Sequence, residues 1–225
     1  MLGGAGEPIG EQMREQIKAV ATELLIIHGV RGLRFGDIAD RLRITRANIH
    51  YHFGTKKNLV EEVIEEYVQE ALVALGAVWE DPGLTYHEKA RRTMEFNRGR
   101  YARFNRASKS GRPWSLISRM RLEADQLSDE ARAKLRQFTL SIERFIDEAV
   151  VHAQRNGELS ASAPVKDIAV QLIAIVDSAG SITQDGGSFE RLERLYTAYL
   201  RIIEHAYGTR QGSAARPALA AGGGS

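Results

Sequence analysis

The sequence predicts an all-α protein, in which a long fourth helix joins an N-terminal three-helix domain to a larger helical domain. Apolar residues recur at three- and four-residue intervals through most of the chain, which is the period of a helix with one buried face. Glycine and proline residues divide this pattern into segments of helical length. The 225 residues are enough for one or two domains with a substantial core.

The first four helices are predicted in the N-terminal third of the chain. The first covers residues 11–28 and stops at Gly29, because glycine readily takes the left-handed conformation that ends many helices. Two short helices follow on either side of the turn Arg43–Ile44, and the hydroxyl of Thr45 is placed to cap the second of them. The fourth helix, over residues 56–78, is long enough to connect the two domains.

The third helix has an outward face that is unusual for a solvated helix. Ile49 and Phe53 lie four residues apart and share its buried face. The remaining positions carry arginine, asparagine, tyrosine and histidine, which can bond base edges and phosphate oxygens in a DNA major groove. Lys56 and Lys57 follow in the first turn of the fourth helix, where positive charge opposes the helix dipole and so suggests a nearby phosphate.

This region resembles the tetracycline-repressor (TetR) family of bacterial one-component regulators. The residues that match at the family's spacing are Asp37-Ile38-Ala39, Ile44-Thr45, Ile49, Tyr51-His52-Phe53, Thr55-Lys56 and Leu59. The resemblance covers about residues 11–75 and implies a cytoplasmic, ligand-released repressor that binds a palindromic operator as a homodimer. It further implies a helix-turn-helix DNA-binding domain over 11–56 and a ligand-binding and dimerisation domain over 57–207. The termini, 1–10 and 208–225, are predicted to be flexible.

The predicted DNA contacts lie on the third helix and next to it. They are Arg34, Thr45, Arg46, Ala47, Asn48, His50, Tyr51, His52, Lys56 and Lys57. The chain departs from the family pattern at three positions: Arg34 replaces a capping Thr or Ser, Arg43 replaces a turn Gly, and His50 replaces Tyr. Because positive φ is uncommon for arginine, the turn at Arg43 is expected to differ from the family's or to carry modest strain.

Five further helices are predicted, over 86–107, 113–125, 129–156, 164–183 and 188–207. The last two are apolar on more than one side, which predicts two packing partners. One partner is the domain core, and the other, as the resemblance implies, is the same helix pair of a second subunit. The predicted interface residues are Ile168, Leu172, Ile175, Leu192, Leu195, Tyr196 and Tyr199. The alternative is that the first of these helices is the central helix of a monomeric bundle.

The middle of the chain is unusually basic. The residues concerned are Arg91, Arg92, Arg98, Arg100, Arg103, Arg106, Lys109, Arg112, Arg119 and Arg121. Three interpretations are open: a solvated face paired with acids elsewhere, an arginine that binds a carboxylate or phosphate ligand, or a second nucleic-acid surface. Asp177 interrupts an apolar helix, and it can pair with one of these arginines, face solvent or hold a polar ligand group.

The resemblance also implies a small-molecule inducer pocket between the fourth and eighth helices. The candidate lining residues are Met94, Asn97, Arg98, Tyr101, Phe104, Trp114, Ile117, Met120, Phe138, Ile142 and Asp177. The aromatic rings and the excess of arginine favour an organic acid as inducer, and a neutral apolar molecule is the rival. For each single residue, ordinary core packing is the alternative role.

The sequence predicts neither an enzyme nor a cofactor. It contains no cysteine, and its six histidines lack the spacing of metal ligands. It has no glycine-rich phosphate loop, no apolar run long enough for a membrane span and no signal-peptide plan at its N-terminus. The alternative to a DNA-binding regulator is a helical interaction or scaffold protein in which the helix-turn-helix pattern is incidental.

Overall fold

The computed structural model describes residues 9–106 and 111–209, which form ten α-helices. They are α1 (Ile9–Gly32), α2 (Phe35–Leu42), α3 (Arg46–Phe53), α4 (Lys56–Trp79), α5 (Tyr86–Phe104), α6 (Leu116–Leu122), α7 (Asp129–Arg155), α8 (Val165–Asp177), α9 (Ala179–Asp185) and α10 (Glu190–Tyr207). A 3₁₀ turn, Ala124–Gln126, connects α6 to α7. Within these residues no helix combines the length and the apolar character needed to cross a membrane.

Helices α1 to α3 form the head, and the turn between α2 and α3 is as tight as the sequence predicts. Ile17, Ile38 and Ile49 are completely buried at its centre. Arg43 ends α2 in the left-handed conformation, with φ 57° and ψ 41°, and is the one non-glycine residue with positive φ in the described part of the chain. Since an L-residue pays about 1–2 kcal/mol for this conformation, the turn carries a modest strain.

Helix α4 is the strut between the head and the second domain. Its inner face packs on α1 and on the long helix α7, and Leu59, Val63 and Leu75 are buried there. The buried side chain of Lys89 donates a hydrogen bond of 2.7 Å to the carbonyl of Trp79, which satisfies the end of the strut. Burial lowers the pKa of Lys89.

Three of the predicted helices differ in extent. The predicted helix over 113–125 begins only at Leu116, because the hydroxyl of Ser115 caps it by accepting the Ser118 amide at 3.2 Å. The helix predicted over 86–107 ends at Phe104; Ala107 lies outside the described residues. The amide of Asn105 bonds the backbone of Arg112, so the chain turns away at this point.

The predicted helix over 164–183 is two helices, α8 and α9, with Ser178 between them at φ −90° and ψ 0°. The break lets α9 approach α6 so closely that a Cβ on Gly180 would lie 2.7 Å from the Cβ of Ser118. An uninterrupted helix cannot make this contact, and local sequence periodicity does not reveal it.

Four residues of the termini predicted to be flexible, 1–10 and 208–225, lie within the described structure. Those segments lie outside the described residues except for Ile9, Gly10, Gly208 and Thr209. Residues 9 and 10 belong to α1, and the amide of Thr209 donates to the carbonyl of Glu158 at 3.1 Å. These four residues are therefore part of the ordered fold.

Candidate DNA-binding face and ligand cavity

Helix α3 is held by caps at both ends. The hydroxyl of Thr45 accepts the amide of Asn48 at 3.2 Å, as the sequence predicts. At the other end the Nδ1 atom of His50 lies 2.9 Å from the carbonyl of Gly54. Arg34, by contrast, makes no side-chain cap for α2, which leaves its guanidinium available to a ligand.

Sequence reasoning missed the residue that fixes the position of α3 on the head. Arg14 of α1 donates a 2.5 Å hydrogen bond to the carbonyl of His52, and its guanidinium lies 4.4 Å from the centre of the Phe53 ring. An ion pair with Glu62 of α4 completes its environment. Arg14 thus ties three helices together at the base of the outward face.

The predicted DNA contacts share one outward surface of α3 and the start of α4. All are exposed except Asn48, His52 and Lys56, which are half-buried, and Tyr51 projects with 85% of its surface accessible. Arg34, Arg43, Arg46 and Lys56 have no acidic partner among the described residues. Such a surface presents uncompensated positive charge to whatever it meets.

A small inner cavity of about 30 Å³ lies in the second domain, enclosed by α4 to α9. Four of the predicted pocket residues line it: Asn97, Trp114, Ile117 and Phe138. At this volume it has room for about one or two water molecules.

The other predicted pocket residues do not line the inner cavity. Met94 packs against the core, and Tyr101, Met120 and Ile142 are buried in it. Arg98 forms an ion pair of 2.5 Å with Glu193 and lies over the Phe189 ring. Asp177 pairs with Arg121 at 2.8 Å, which is the first of the roles open to it from sequence. Phe104 lines a second cavity instead.

That second cavity, here called the outer cleft, has a volume of about 220 Å³ and lies between α1, α4 and α5. Arg100 and Trp114 line both cavities and so form the wall between them. The guanidinium of Arg100 lies 4.2 Å from the centre of the Tyr67 ring and 4.6 Å from that of Phe96. Burial raises the pKa of Tyr67, and the charge of Arg100 opposes that shift.

Five arginines of the basic stretch are paired with acids. The pairs are Arg91 with Glu95, Arg98 with Glu193, Arg103 with Glu23, Arg119 with Glu123 and Arg121 with Asp177. The first interpretation of the stretch, a face paired with acids elsewhere, therefore holds for these five arginines. Lys109 lies outside the described residues.

The end of α6 is clamped to the head. The carboxylate of Glu123 accepts the amide of Val30 at 2.7 Å and pairs with Arg119 at 2.9 Å. The acceptor reaches α1 at its kink, where Gly29 takes φ 71°, and a Cβ on Gly29 would lie 1.9 Å from the carboxylate. Only glycine fits this position, so the kink and the clamp depend on each other.

The predicted dimer-interface residues differ in how far they are exposed in the single chain. Ile168, Leu172, Leu192, Tyr196 and Tyr199 are buried within a single chain, because those faces of α8 and α10 turn towards the core. Of the predicted set, Ile175 is partly exposed and Leu195 is exposed. The outer face of the same two helices carries Val170 and Ile202, both about three-fifths exposed (59% and 62%).

The described residues contain no group of three or more histidine or acidic side chains placed to hold a metal ion. The candidate sites are therefore a cationic helical surface on the head and a pair of cavities behind it.

Comparison with known proteins agrees with this arrangement. The family model described as "Bacterial regulatory proteins, tetR family" matches residues 17–63, and the model "Tetracyclin repressor-like, C-terminal domain" matches residues 116–199. No curated protein shows significant sequence similarity to the chain.

Solved structures with the same fold span nearly the whole chain. A TetR-family regulator from Agrobacterium tumefaciens is 19% identical with a TM-score of 0.75, covering 86% of this chain and 98% of its own. A regulatory protein TetR from Rhodobacter sphaeroides is 19% identical with a TM-score of 0.72, at 83% and 96% coverage. A transcriptional regulator from Saccharomonospora viridis, solved in complex with choline, is 21% identical with a TM-score of 0.70, at 89% and 100% coverage.

Proposed function

Because this chain belongs to the TetR family and is a DNA-binding transcription regulator, we propose that it is a ligand-released repressor that binds a near-palindromic operator as a dimer. The observation that carries the proposal is the positive charge on and around α3. Arg46 on α3, Arg34 and Arg43 at the two ends of α2, and Lys56 at the start of α4 have no acidic partner among the described residues. A two-fold dimer presents two such surfaces to successive major grooves, so its operator repeats with the same symmetry. A regulator of this kind works in the cytoplasm and needs no enzymatic activity.

The proposed dimer forms through the outer face of α8 and α10. Val170, Leu195 and Ile202 are large apolar side chains exposed on that face, and Ile175 borders it. Exposed apolar side chains clustered on neighbouring helices are typical of a protein interface. A symmetric pairing buries the same residues from both copies and makes a four-helix contact.

Release of DNA is proposed to start in the inner cavity. A ligand larger than about 30 Å³ must push its walls apart, and Ser115, Ile117 and Ser118 place the start of α6 in those walls. The far end of α6 holds the α1 kink through Glu123 and Val30. Movement of α6 therefore reaches the head, and a coupling of about 1–3 kcal/mol, typical of allostery, is enough for substantial release.

Selection of bound DNA from a random pool tests the operator part. We expect an inverted repeat whose half-sites are about 10 bp apart or a multiple of that distance, as two major grooves require. A selected sequence without two-fold symmetry, or no selection at all, would contradict the proposal.

Sedimentation tests the dimer. We expect Val170→Glu and Ile202→Glu to yield monomers with weakened operator binding, because each places a charge in a closed apolar contact. Val73→Glu is the matched control, since Val73 is equally exposed (63%) but lies on α4. A parent protein that sediments as a monomer at micromolar concentration excludes the interface.

A further inference from the structure

We propose that the inducer is a small organic carboxylate and that Arg100 binds its carboxylate group. The inference rests on the proposed function, because it names the ligand class of the cavity from which release starts. Arg100 was absent from the pocket residues predicted from sequence, and its position in the wall between the two cavities singles it out.

The first argument is the charge of the inner cavity. Two arginines, Arg100 and Arg121, line it, and no acidic side chain does. Arg121 is already paired with Asp177 at 2.8 Å and bonded to Thr139 at 2.5 Å. The remaining polar lining consists of neutral hydroxyl and amide groups that can bond a carboxylate: Thr93, Asn97, Ser115 and Ser118.

The second argument is the state of Arg100 itself. Within the described residues it has no ion pair; Arg92, Arg106 and Arg112 of the same stretch have none either, but of these four only Arg100 lines the two cavities. The rings of Tyr67 and Phe96 hold its guanidinium at 4.2 and 4.6 Å from their centres. A guanidinium that makes ring contacts still has N–H donors for the bidentate bonds that a carboxylate accepts.

The third argument concerns which of the two cavities the carboxylate of a bound acid faces. The outer cleft is lined by four glutamates. Glu15 and Glu66 both pair with Lys18, and Glu23 pairs with Arg103. Glu70 has no ion pair within the described residues. A carboxylate is repelled on that side. It therefore faces the inner cavity, and the apolar body of the ligand lies along Trp114, which lines both cavities.

The fourth argument is size. The inner cavity alone is too small for an organic acid, but the two cavities share the wall of Arg100 and Trp114. If the wall shifts, their combined space approaches the lower end of the range of about 300–1,000 Å³ usual for ligand sites. The site is therefore suited to a compact acid rather than to a large drug-like molecule.

Arg100 also adjoins the path to the head. The hydroxyl of Tyr67, whose ring lies beneath Arg100, accepts the amide of Leu116, the first residue of α6, at 3.3 Å. The other end of α6 leads to the α1 kink through Glu123. A ligand that pulls Arg100 away from the Tyr67 ring therefore also disturbs the contact of Tyr67 with α6, the helix that must move.

Thermal shift with purified protein and no DNA tests the ligand class. The probes are salicylate and octanoate, each compared with its neutral amide. Because a ligand that binds only the folded state raises the melting point by mass action, we expect the acids to raise it with concentration and the amides to do so far less. Equal shifts for acids and amides, or no shift with either acid, overturn the anion assignment.

Two variants test Arg100 itself. Arg100→Met should weaken acid binding by about tenfold or more, since it removes a charge-assisted bidentate contact, and Arg100→Lys should weaken it less. Arg98→Met is the control, because its ion pair with Glu193 lies outside both cavities, and it should bind the acids like the parent. Unchanged acid binding in Arg100→Met overturns the role of Arg100, and so does a loss in Arg98→Met of the same size.

The operator assay separates this inference from the proposed function. If the parent protein binds salicylate or octanoate but selects no DNA, the carboxylate ligand class is supported and the repressor proposal is refuted. A parent that selects an inverted repeat, yet shows no preference for acids over amides, keeps the repressor and refutes the ligand class.

Discussion

The head and the middle of the chain are both rich in arginine, but their arginines lie in opposite electrostatic environments. On the α3 surface Arg34, Arg43 and Arg46 have no acidic partner among the described residues. In α5 and α6 five arginines are paired with carboxylates at 2.5 to 3.2 Å. Density of positive charge alone therefore does not identify a binding surface.

The difference has a physical basis in what each arginine must give up to bind an anion. A paired guanidinium has to lose its carboxylate before it can bond a phosphate, and the exchange gains little. An unpaired one on an exposed helix exchanges only water and counterions, and counterion release favours binding to DNA. By this criterion Arg100 resembles the arginines of the head more than the five paired arginines of α5 and α6.

The largest expected effect comes from the head. Arg46→Ala should weaken operator binding by about 1–3 kcal/mol for each half-site if it makes a bidentate base contact, and relax the preference at one base position. Competition binding with operator variants measures both. Lys56→Ala should instead weaken binding to all DNA sequences evenly. It should also reduce the dependence of DNA affinity on salt concentration by about one phosphate contact per subunit. If both variants bind the operator like the parent, the α3 surface is not the DNA contact.

The second-largest effect is expected at the clamp, which consists of the contacts of Glu123 with Val30 and Arg119. Glu123→Ala leaves the Val30 amide and Arg119 without their acceptor, so we expect a loss of about 1–3 kcal/mol in the free energy of unfolding. Chemical denaturation measures that loss. The ligand-induced release of operator should also become smaller, while operator affinity without ligand is kept. Asp125→Ala is the control, because its pair with Arg31 is exposed. A full release response in Glu123→Ala excludes the clamp as the route to the head.

Arg43 affects two properties of the head that one substitution can separate: the strain of the turn after α2 and the positive charge of the surface. Arg43→Gly removes the strain of a left-handed non-glycine residue, which should offset the higher entropy of glycine in the unfolded chain and change stability by less than about 1 kcal/mol. The same change removes an unpaired charge from the groove-facing surface. We expect weaker operator binding at an unchanged or slightly higher melting temperature. Operator binding equal to the parent's would show that this charge does not contact DNA.

The smallest effect belongs to the paired arginines on the surface. Arg91→Ala breaks an exposed pair with Glu95 four residues on, which is worth about 0.3–0.5 kcal/mol. Its operator affinity and acid binding should equal those of the parent. A clear loss of operator affinity in Arg91→Ala would mean that the basic stretch is a second nucleic-acid surface, which was the third interpretation of the sequence.

The sequence predicted the head better than the second domain, and the reason is the range of the interactions. The cap at Thr45 and the turn at Arg43 depend on residues within four positions, so local patterns reveal them. The pairing of Arg98 with Glu193 and of Arg103 with Glu23 spans 80 residues or more. No local pattern indicates those partners, and the free state of Arg100 follows only from knowing them.

The interface residues illustrate the same limit. Helices α8 and α10 have apolar residues on two sides, as the sequence indicates, but periodicity does not tell which side faces the core. The fold buries Leu172 and Leu192 and leaves Val170 and Ile202 outside. The break at Ser178 adds to the difficulty, since it changes the direction of the chain within a segment whose pattern is continuous.

Under the proposed release, the inner cavity of about 30 Å³ also sets the dose at which the regulator responds. Only those protein molecules in which the inner cavity is already widened can bind the inducer. The apparent affinity for the inducer is therefore reduced in proportion to the fraction of the protein in that widened state. Trimming a buried wall residue such as Leu75 would raise that fraction and lower the threshold dose, and enlarging Ala71 would do the reverse. The sensitivity of the genetic response can thus be retuned by core packing alone, with every contact to DNA and to the inducer left in place.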